Sequence, residues 1–191
     1  MRSVRVAGLL VLALVLLLAV SVSADAAAQR EKVAKYNARV GAKFLSEKAA
    51  EEGVTKLESG VLYKVLTASP NPATAKTPGA TDQVKVHYAG TLINGQEFDS
   101  SYSRGQPAEF GVNGVIRGWT EVLQLMKEGD VWEVYIPSDK AYGAAGSGAK
   151  IGPNSTLVFK IELLEVKGKG AKARPAPPKK AKKPAVEKAE L

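Results

Sequence analysis

The sequence predicts an α+β domain in which an antiparallel sheet of five to six strands packs against one short helix. Two observations support this class. Between residues 60 and 166, several short segments alternate apolar and polar residues, as half-buried strands do, and turn-forming residues separate them. A single segment in this region, 117–130, has the longer apolar period of an amphipathic helix.

A helical segment, residues 25–58, is expected before this domain. Its apolar residues recur at helical spacing: Val33, Tyr36, Val40 and Phe44. Gly53 is suited to end the helix, whereas Gly41 in its middle weakens it. The segment either packs on its own domain, which we favour, or pairs with a second copy. Two heptads are short for a coiled coil, so we expect a monomer or a weak dimer through this helix.

The strand-forming segments, in chain order, are GVLYKVLT, QVKVHYAGTL, PAEFGV, VWEVYIP and STLVFKIELLEV. Residues 84–88 of the second segment alternate, so its apolar side chains are expected to face the core and Lys85 and His87 to face away. Asn94-Gly95 follows and predicts a hairpin with a type I′ turn. A short further strand is therefore expected directly after this turn.

The one helix of the predicted domain is RGWTEVLQLMKEGD. Trp119, Val122 and Met126 share one of its faces, which is expected to pack on the sheet. Gly129 is expected to end it. Trp132, in the strand that follows, is assigned to the core.

The net charge of +8 is unevenly distributed. Residues 168–191 contain eight Lys and Arg but two Glu, whereas residues 25–167 contain 17 residues of each sign. The predicted domain is therefore not a basic platform for nucleic acid. The tail, 168–191, is rich in Lys, Pro and Ala without apolar periodicity. We expect it to be disordered and to be a candidate for binding acidic partners.

The first 24 residues have the three-part form of a secretory signal peptide. A basic start precedes an apolar run, and small residues then offer cleavage sites. The alternative is an uncleaved membrane anchor, because residues 6–24 are nearly long enough to span a bilayer. Export predicts a secreted or surface-exposed protein. The chain has no cysteine, so its stability must come from packing rather than from disulfides.

Two short motifs bear on the route of export. The chain ends in KAEL, one substitution from the KDEL signal, which makes the lumen of the endoplasmic reticulum an alternative location. Asn154-Ser-Thr is an acceptor sequence for glycosylation if the cell is eukaryotic.

The glycine-rich stretch AYGAAGSGAKIGP, residues 141–153, does not fit a phosphate-binding loop. Its glycines lack the required spacing, and Lys150 is followed by Ile151 instead of Ser or Thr. His87 is the only histidine, which excludes a histidine metal cluster. It lies in a predicted strand, on the face opposite Val86 and Tyr88 and without a carboxylate motif around it, which argues against a Ser-His-Asp set. Any catalysis must therefore work without a nucleophile, a metal or a cofactor.

The segments VHYAGTLINGQEFDSSYSRGQPAEF, VIRGW, AYG and TLVFKIELL resemble, in this order, the FKBP-type peptidyl-prolyl isomerases. The resemblance covers about residues 60–166. KFLSEKAAEEGVTKLESGVLYKVL and GWTEVLQLMKEGDVWEVYIPSDKAYG are similar to the macrophage infectivity potentiator (Mip) branch, whose members are exported and carry an N-terminal helix. The resemblance implies a half-barrel of antiparallel sheet wrapped on the short helix, with an isomerase domain at residues 59–167.

The resemblance implies rotation about Xaa-Pro peptide bonds without a cofactor. It implies proline-containing peptides and unfolded or host proteins as substrates, and rapamycin- or tacrolimus-type macrolides as inhibitors. Carried over position by position, the lining of the implied pocket is Tyr88, Phe98, Asp99, Arg104, Phe110, Val115, Ile116, Trp119, Ala141, Tyr142, Ile151 and Phe159. A chaperone or adaptor with incidental isomerase activity remains the alternative.

Within this pocket the resemblance implies separate roles. Trp119 would form the floor, while the Ile116 N–H and the Tyr142 hydroxyl would donate to substrate carbonyls. The implied catalytic residues are Tyr88, Phe98, Asp99 and Tyr142. The glycines of residues 141–153 would let this flap, as we name it, bend over a bound proline.

Three positions depart from the usual family pattern. The family often has an aromatic residue at Ala108, a histidine at Ser147 and an apolar residue at Lys150. These departures concern substrate preference and drug affinity more than activity.

Overall fold

The structure, a computed structural model, describes the backbone of residues 2–168 and the side chains of residues 25–168. The predicted signal peptide and nearly all of the basic tail therefore lie outside the described side chains. The helices are α1 (Arg2–Ala50) and α2 (Arg117–Leu123). The strands are β1 (Val54–Lys56), β2 (Leu62–Thr67), β3 (Gln83–Leu92), β4 (Glu97–Ser100), β5 (Ala108–Gly111), β6 (Val131–Ile136) and β7 (Leu157–Lys167).

The strands form one antiparallel sheet in the order β1-β2-β6-β7-β3-β4, and β5 also pairs with β3. β3 lies inside the sheet and has partners on both sides. β7 pairs with its whole length on one side. On the other side, β5 pairs with its first half and β4 with its second half. The predicted fold class is confirmed. The strand count is seven, since β1, inside the segment predicted to be helical, pairs with β2.

The core lies between the sheet and α2. Val84, Val86 and Tyr88 are buried while Lys85 and His87 are only half-buried, which confirms the alternation predicted for β3. Trp119 and Val122 of α2 are also buried, as is Met126 after it, together with the inward side chains of β6 and β7. Burial of these apolar groups is the main stabilising contribution to the fold. The prediction that α2 continues to Gly129 is wrong, because the helix ends at Leu123 and Gly129 instead forms the turn before β6 with φ +89°.

The predicted hairpin forms between β3 and β4, but its turn is not type I′. A type I′ turn requires positive φ at both central residues. Gly95 has φ +85°, whereas Asn154 is the only non-glycine residue with positive φ in the described chain. The Gly95 N–H donates to Leu92 O and the Leu92 N–H to Gln96 O, each at 2.9 Å. This is a three-residue loop with glycine in the left-handed position.

α1 packs on the domain that follows it, as favoured above, but of the predicted apolar face only the second half, Val40 and Phe44, takes part, together with Gly41. Val33 and Tyr36 are exposed, with 36% and 58% of their surface accessible. The buried contact is made by Gly41, where a Cβ would overlap the Oγ1 atom of Thr156. One turn later, the Phe44 ring meets the Tyr135 ring edge-on at 5.9 Å. The glycine that weakens the helix thus permits its close approach to the sheet.

Two cavities flank α1, one on each side. One of about 330 Å³ lies between Tyr36 and the β3–β4 hairpin, and one of about 380 Å³ lies between Leu45 and Pro137. Among residues whose side chains are described, no helix is long and apolar enough to cross a membrane.

Candidate active site

Five aromatic side chains from four strands and α2 meet at one end of the core. They are Tyr88, Phe98, Phe110, Trp119 and Phe159. The Trp119 ring lies at the centre, with its centroid 5.2 Å from those of Tyr88 and Phe159 and 5.8 Å from that of Phe110. Phe98 meets Phe159 at 5.5 Å. All four contacts are edge-to-face, the arrangement that aromatic quadrupoles favour.

Burial of these rings is graded. Trp119 and Phe159 are each 4% exposed, whereas Phe98 and Phe110 are half-buried. The cluster therefore has a buried floor, Trp119 and Phe159, and a half-buried rim, Phe98 and Phe110, and we call it the aromatic site. The Trp119 indole N–H, on the floor, has no hydrogen-bond partner within the described part of the chain.

A polar group of three side chains forms one wall of the aromatic site. The Tyr88 hydroxyl and the Arg104 guanidinium both donate to Asp99, and Arg104 also donates to the Tyr88 hydroxyl at 2.9 Å. Burial alone would raise the pKa of Asp99, but the two donors outweigh it and lower the pKa below its ordinary value. Burial and the neighbouring carboxylate raise the pKa of Tyr88. Asp99 is therefore a fixed anion and Tyr88 a neutral phenol at neutral pH.

The entry to α2 forms another part of the rim. Ile116 is the N-cap residue, and its carbonyl accepts the N–H groups of Trp119 and Thr120. The Ile116 N–H itself has no acceptor among the residues that the structure describes. Val115 and Ile116 are half-buried against the core. A free donor thus lies beside apolar side chains that contact the aromatic cluster.

The flap completes the surroundings of the aromatic site. Ala141 and Ile151 pack against the core, whereas Tyr142 is 39% exposed. The flap folds back on itself through paired bonds between Ser147 and Ile151, of 2.8 and 3.2 Å. A Cβ on Gly146, whose φ is +67°, would approach the Gly152 carbonyl carbon to 2.8 Å. Glycine is needed there for both space and backbone conformation.

The structure gives two of the departing positions a contact. Lys150 Nζ donates to the carbonyl of Phe98 at 3.2 Å, so the flap tip reaches the strand that carries a rim residue. The backbone of Ser147 pairs with that of Ile151 within the flap. Ala108, in β5, packs half-buried against the core.

Two residues that the sequence did not identify support the aromatic site. A Cβ on Gly90 would lie 2.6 Å from Phe98 and 2.7 Å from Phe159, so only glycine lets these rings meet over β3. Ser101 is fully buried, accepts the Tyr88 N–H at 2.7 Å and donates to the Tyr88 carbonyl at 3.2 Å. The only sequence signal that could have indicated the role of Gly90 is the presence of a glycine inside a predicted strand.

His87 and Trp132 lie outside the aromatic site. His87 stacks on Tyr102 with centroids 4.7 Å apart, and its Nδ1 is 2.9 Å from Ser101 Oγ. The Tyr102 side chain is exposed, and its hydroxyl donates to Glu162 at 2.9 Å. Partial desolvation and this bond raise the pKa of Tyr102 to about 12. Trp132 stacks on Tyr63 at 4.3 Å in the core, as predicted.

Asn154, at the base of the flap, has a contact that bears on glycosylation. Its Nδ2 atom, where a glycan would be attached, donates to the Ala34 carbonyl of α1 at 3.4 Å. Modification would therefore require α1 to move away.

An antiparallel sheet wrapped on one short helix, with an aromatic site at one end of its core, defines the FKBP-like class of α+β domains. Residues 74–164 match the family of FKBP-type peptidyl-prolyl cis-trans isomerases, and residues 16–65 match the domain amino-terminal to it. The motif-based resemblance is thus confirmed.

Individual relatives agree with this assignment. The chain is 44% identical to the macrophage infectivity potentiator of Trypanosoma cruzi over 80% of this chain and 76% of that protein. It is 47% identical to outer membrane protein MIP of Legionella longbeachae over 75% and 60% of the two chains. The crystal structure of FkpA from Escherichia coli superposes with a TM-score of 0.73 at 44% identity, covering 78% of this chain and 67% of that one.

The chain therefore belongs to the FKBP-type peptidyl-prolyl cis-trans isomerase family, and its relatives include Mip proteins. It spans about three fifths of the length of several of the curated relatives that it matches.

Proposed function

We propose that the chain is a peptidyl-prolyl cis-trans isomerase that binds a proline residue of its substrate in the aromatic site. The observation that carries this proposal is the aromatic cluster around Trp119 and, close by, the Ile116 N–H, which is unpaired among the described residues. Family membership supports the same activity. The substrates are proline-containing segments of peptides and of unfolded or host proteins.

The chemistry needs no bond to be broken. The Xaa-Pro amide must rotate over a barrier of roughly 18–20 kcal/mol. An acceleration of about 10⁴–10⁶-fold requires about 5.5–8 kcal/mol of stabilisation of the twisted amide relative to the planar one. Because the planar amide is the more charge-separated form, an apolar surface disfavours it. The edges and faces of Trp119 and Phe159 supply such a surface.

Directed donors supply the rest of the proposed mechanism. The Ile116 N–H would bind a substrate carbonyl, and the exposed Tyr142 hydroxyl would donate to another. Both would hold the turn-like conformation in which the amide rotates. Asp99 lies in the polar wall, where Tyr88 and Arg104 hold its carboxylate in place by hydrogen bonds. Its fixed negative charge would face the twisting amide. Phe98 encloses the same side.

The decisive experiment is a protease-coupled isomerisation assay on a proline-containing tetrapeptide. We expect the double variant Asp99→Ala/Tyr142→Phe to lose at least about tenfold in kcat/KM, since each change removes one directed interaction. Asp139→Ala, an exposed carboxylate outside the aromatic site, is the matched control and should retain full activity. Normal activity in the double variant would reject the assigned site.

The same assay tests two further parts of the proposal. Rapamycin or tacrolimus, bound over Trp119, should suppress catalysis and change the Trp119 fluorescence. The chaperone alternative predicts that a variant with a blocked site still prevents aggregation of an unfolded protein. Full chaperone activity without isomerase activity would make that alternative the better description.

We also propose that the protein is exported and is secreted or surface-exposed. The leader-like first 24 residues support this, as does a relative that is named an outer membrane protein. The comparisons give no support to retention through KAEL in the endoplasmic reticulum. Cell fractionation followed by N-terminal sequencing of the mature protein would test both export and the cleavage site.

A further inference from the structure

The outer side of the flap is held by α1, which lies outside the aromatic site. The Arg30 guanidinium donates to the carbonyl of Ala145, and Asn37 Nδ2 donates to the carbonyl of Pro153, each at 2.8 Å. Ala145 lies in the first half of the flap, and Pro153 is its last residue. Both are backbone carbonyls, so these bonds fix the path of the main chain and not one flap side chain.

The Asn37 bond lies close to residues of the aromatic site. Pro153 follows Ile151 by two residues, and Ile151 is 7% exposed in the core. The next residue, Asn154, donates its N–H to Gly143 at 2.9 Å, which closes the base of the flap. Gly143 directly follows Tyr142. Asn37 therefore holds the chain directly after Ile151, next to the Asn154–Gly143 bond that closes the flap beside Tyr142.

The packing on both sides of this bond is tight. A Cβ on Gly152 would lie 3.3 Å from Asn37 Nδ2, so the amide lies directly against the flap backbone. One turn further along α1, Gly41 packs on Thr156, which is buried just after the flap. The helix thus contacts the flap and the start of β7 as one surface, which we call the helix–flap seam.

We propose that Asn37 is a positioning residue for the flap, so that α1 sets the affinity of the aromatic site for its substrate. A flap that is already ordered binds a proline segment without first losing conformational freedom. Releasing it divides the population between competent and incompetent flap positions, which weakens apparent binding. This inference rests on the proposed function, because it assigns substrate binding to Tyr142 and Ile151.

The first test is steady-state kinetics of the full chain with Asn37→Ala. Alanine is a better helix former than asparagine, so the change does not weaken α1 itself. We expect KM to rise about fivefold with kcat nearly unchanged, because the change removes the bond to the Pro153 carbonyl and a longer one, of 3.4 Å, to Ser155 Oγ. Lys43→Ala, on an exposed turn of the same helix, is the control and should leave both constants unchanged.

The kinetic pattern separates positioning from general stability. A variant that is only less stable would have fewer folded molecules, which lowers the apparent kcat and leaves KM unchanged. That result, with a matching fall in Tm, would overturn the proposal. So would constants equal to those of the unchanged protein.

The second test does not depend on activity. Hydrogen exchange should become about fivefold faster at the protected flap amides of Ser147, Ile151 and Asn154 in Asn37→Ala, and remain unchanged along β3. Unchanged flap exchange would overturn the proposal even if activity fell. Should the unchanged protein prove inactive, the proposed function would fail, and exchange would still decide whether Asn37 orders the flap.

Discussion

The aromatic site and the helix–flap seam lie on the two sides of the same flap, and they are built from different interactions. The aromatic site rests on ring contacts of 5.2–5.8 Å around Trp119, between elements that the sheet already holds together. The seam rests on single hydrogen bonds from Arg30 and Asn37 to flap carbonyls and on the packing of Gly41 against Thr156. Packed rings resist deformation, whereas single exposed hydrogen bonds are weak. The floor is therefore the rigid part of the site and the flap is its adjustable part.

The largest effect should come from removing the floor. We expect Trp119→Ala to lower the free energy of unfolding by about 3–5 kcal/mol, because it leaves a cavity among three rings. It should also abolish activity of the molecules that remain folded. Urea unfolding and kcat/KM per folded molecule would measure the two effects.

Trp132→Ala is the matched control for this change. Trp132 is buried to the same degree, at 5% against 4% exposed, but stacks on Tyr63 away from the site. It should lose similar stability yet keep its activity per folded molecule. The corresponding Phe variants leave smaller cavities and serve if the Ala variants do not fold. Equal losses of activity at both positions would contradict the division between floor and core.

An intermediate effect should come from forcing the seam apart. Gly41→Leu places a side chain where Thr156 lies, and overpacking of this kind costs about 1–3 kcal/mol. We expect faster hydrogen exchange in the flap and a raised KM, while the Trp119 fluorescence stays unchanged. Ala38→Leu, at an exposed position on α1, should show none of these changes. If both variants behave alike, the seam does not act on the flap.

The smallest effect should come from pH. The pKa of Asp99 lies below its ordinary value and that of Tyr88 above it, so neither titrates near neutrality. We expect kcat/KM to stay constant from about pH 5 to about pH 8, without a bell shape. Because the pKa of Asp99 is lowered on folding, its contribution to stability is present above its unfolded pKa and is lost as pH falls through the folded pKa. An activity titration near pH 6 or 7 would show that another group takes part.

The sequence predicted the floor better than the seam, and the reason is physical. The strand period placed Tyr88 inward and the helix period placed Trp119 on the buried face, so local patterns specified much of the aromatic cluster. The motif resemblance then added Phe98 and Phe159. No local pattern connects Asn37 with Pro153, which are 116 residues apart. Gly41 looked like a weakness because its partner, Thr156, is equally distant in sequence.

Two elements, β1 and the β3–β4 turn, differ from what the sequence predicts. β1 has three residues, too few to show a period, so the sequence did not separate it from the helical segment before it. The dipeptide Asn94-Gly95 predicts a turn, but it fits a three-residue loop as well as a two-residue one. The choice between them depends on the register of β3 and β4, which the tertiary structure decides.

The central place of β3 has a consequence for how the domain is made. Its ten residues pair with residues of β7 that are far away in the sequence; Tyr88, for example, pairs with Ile161. Such long-range pairing is slow, since a long loop must close before the contacts form. During synthesis, the inner edge of β3 stays unpaired until the last strand has emerged from the ribosome. Trp119 and Phe159 therefore meet only after β7 has been made, so a chain that stops before β7 cannot form the aromatic site.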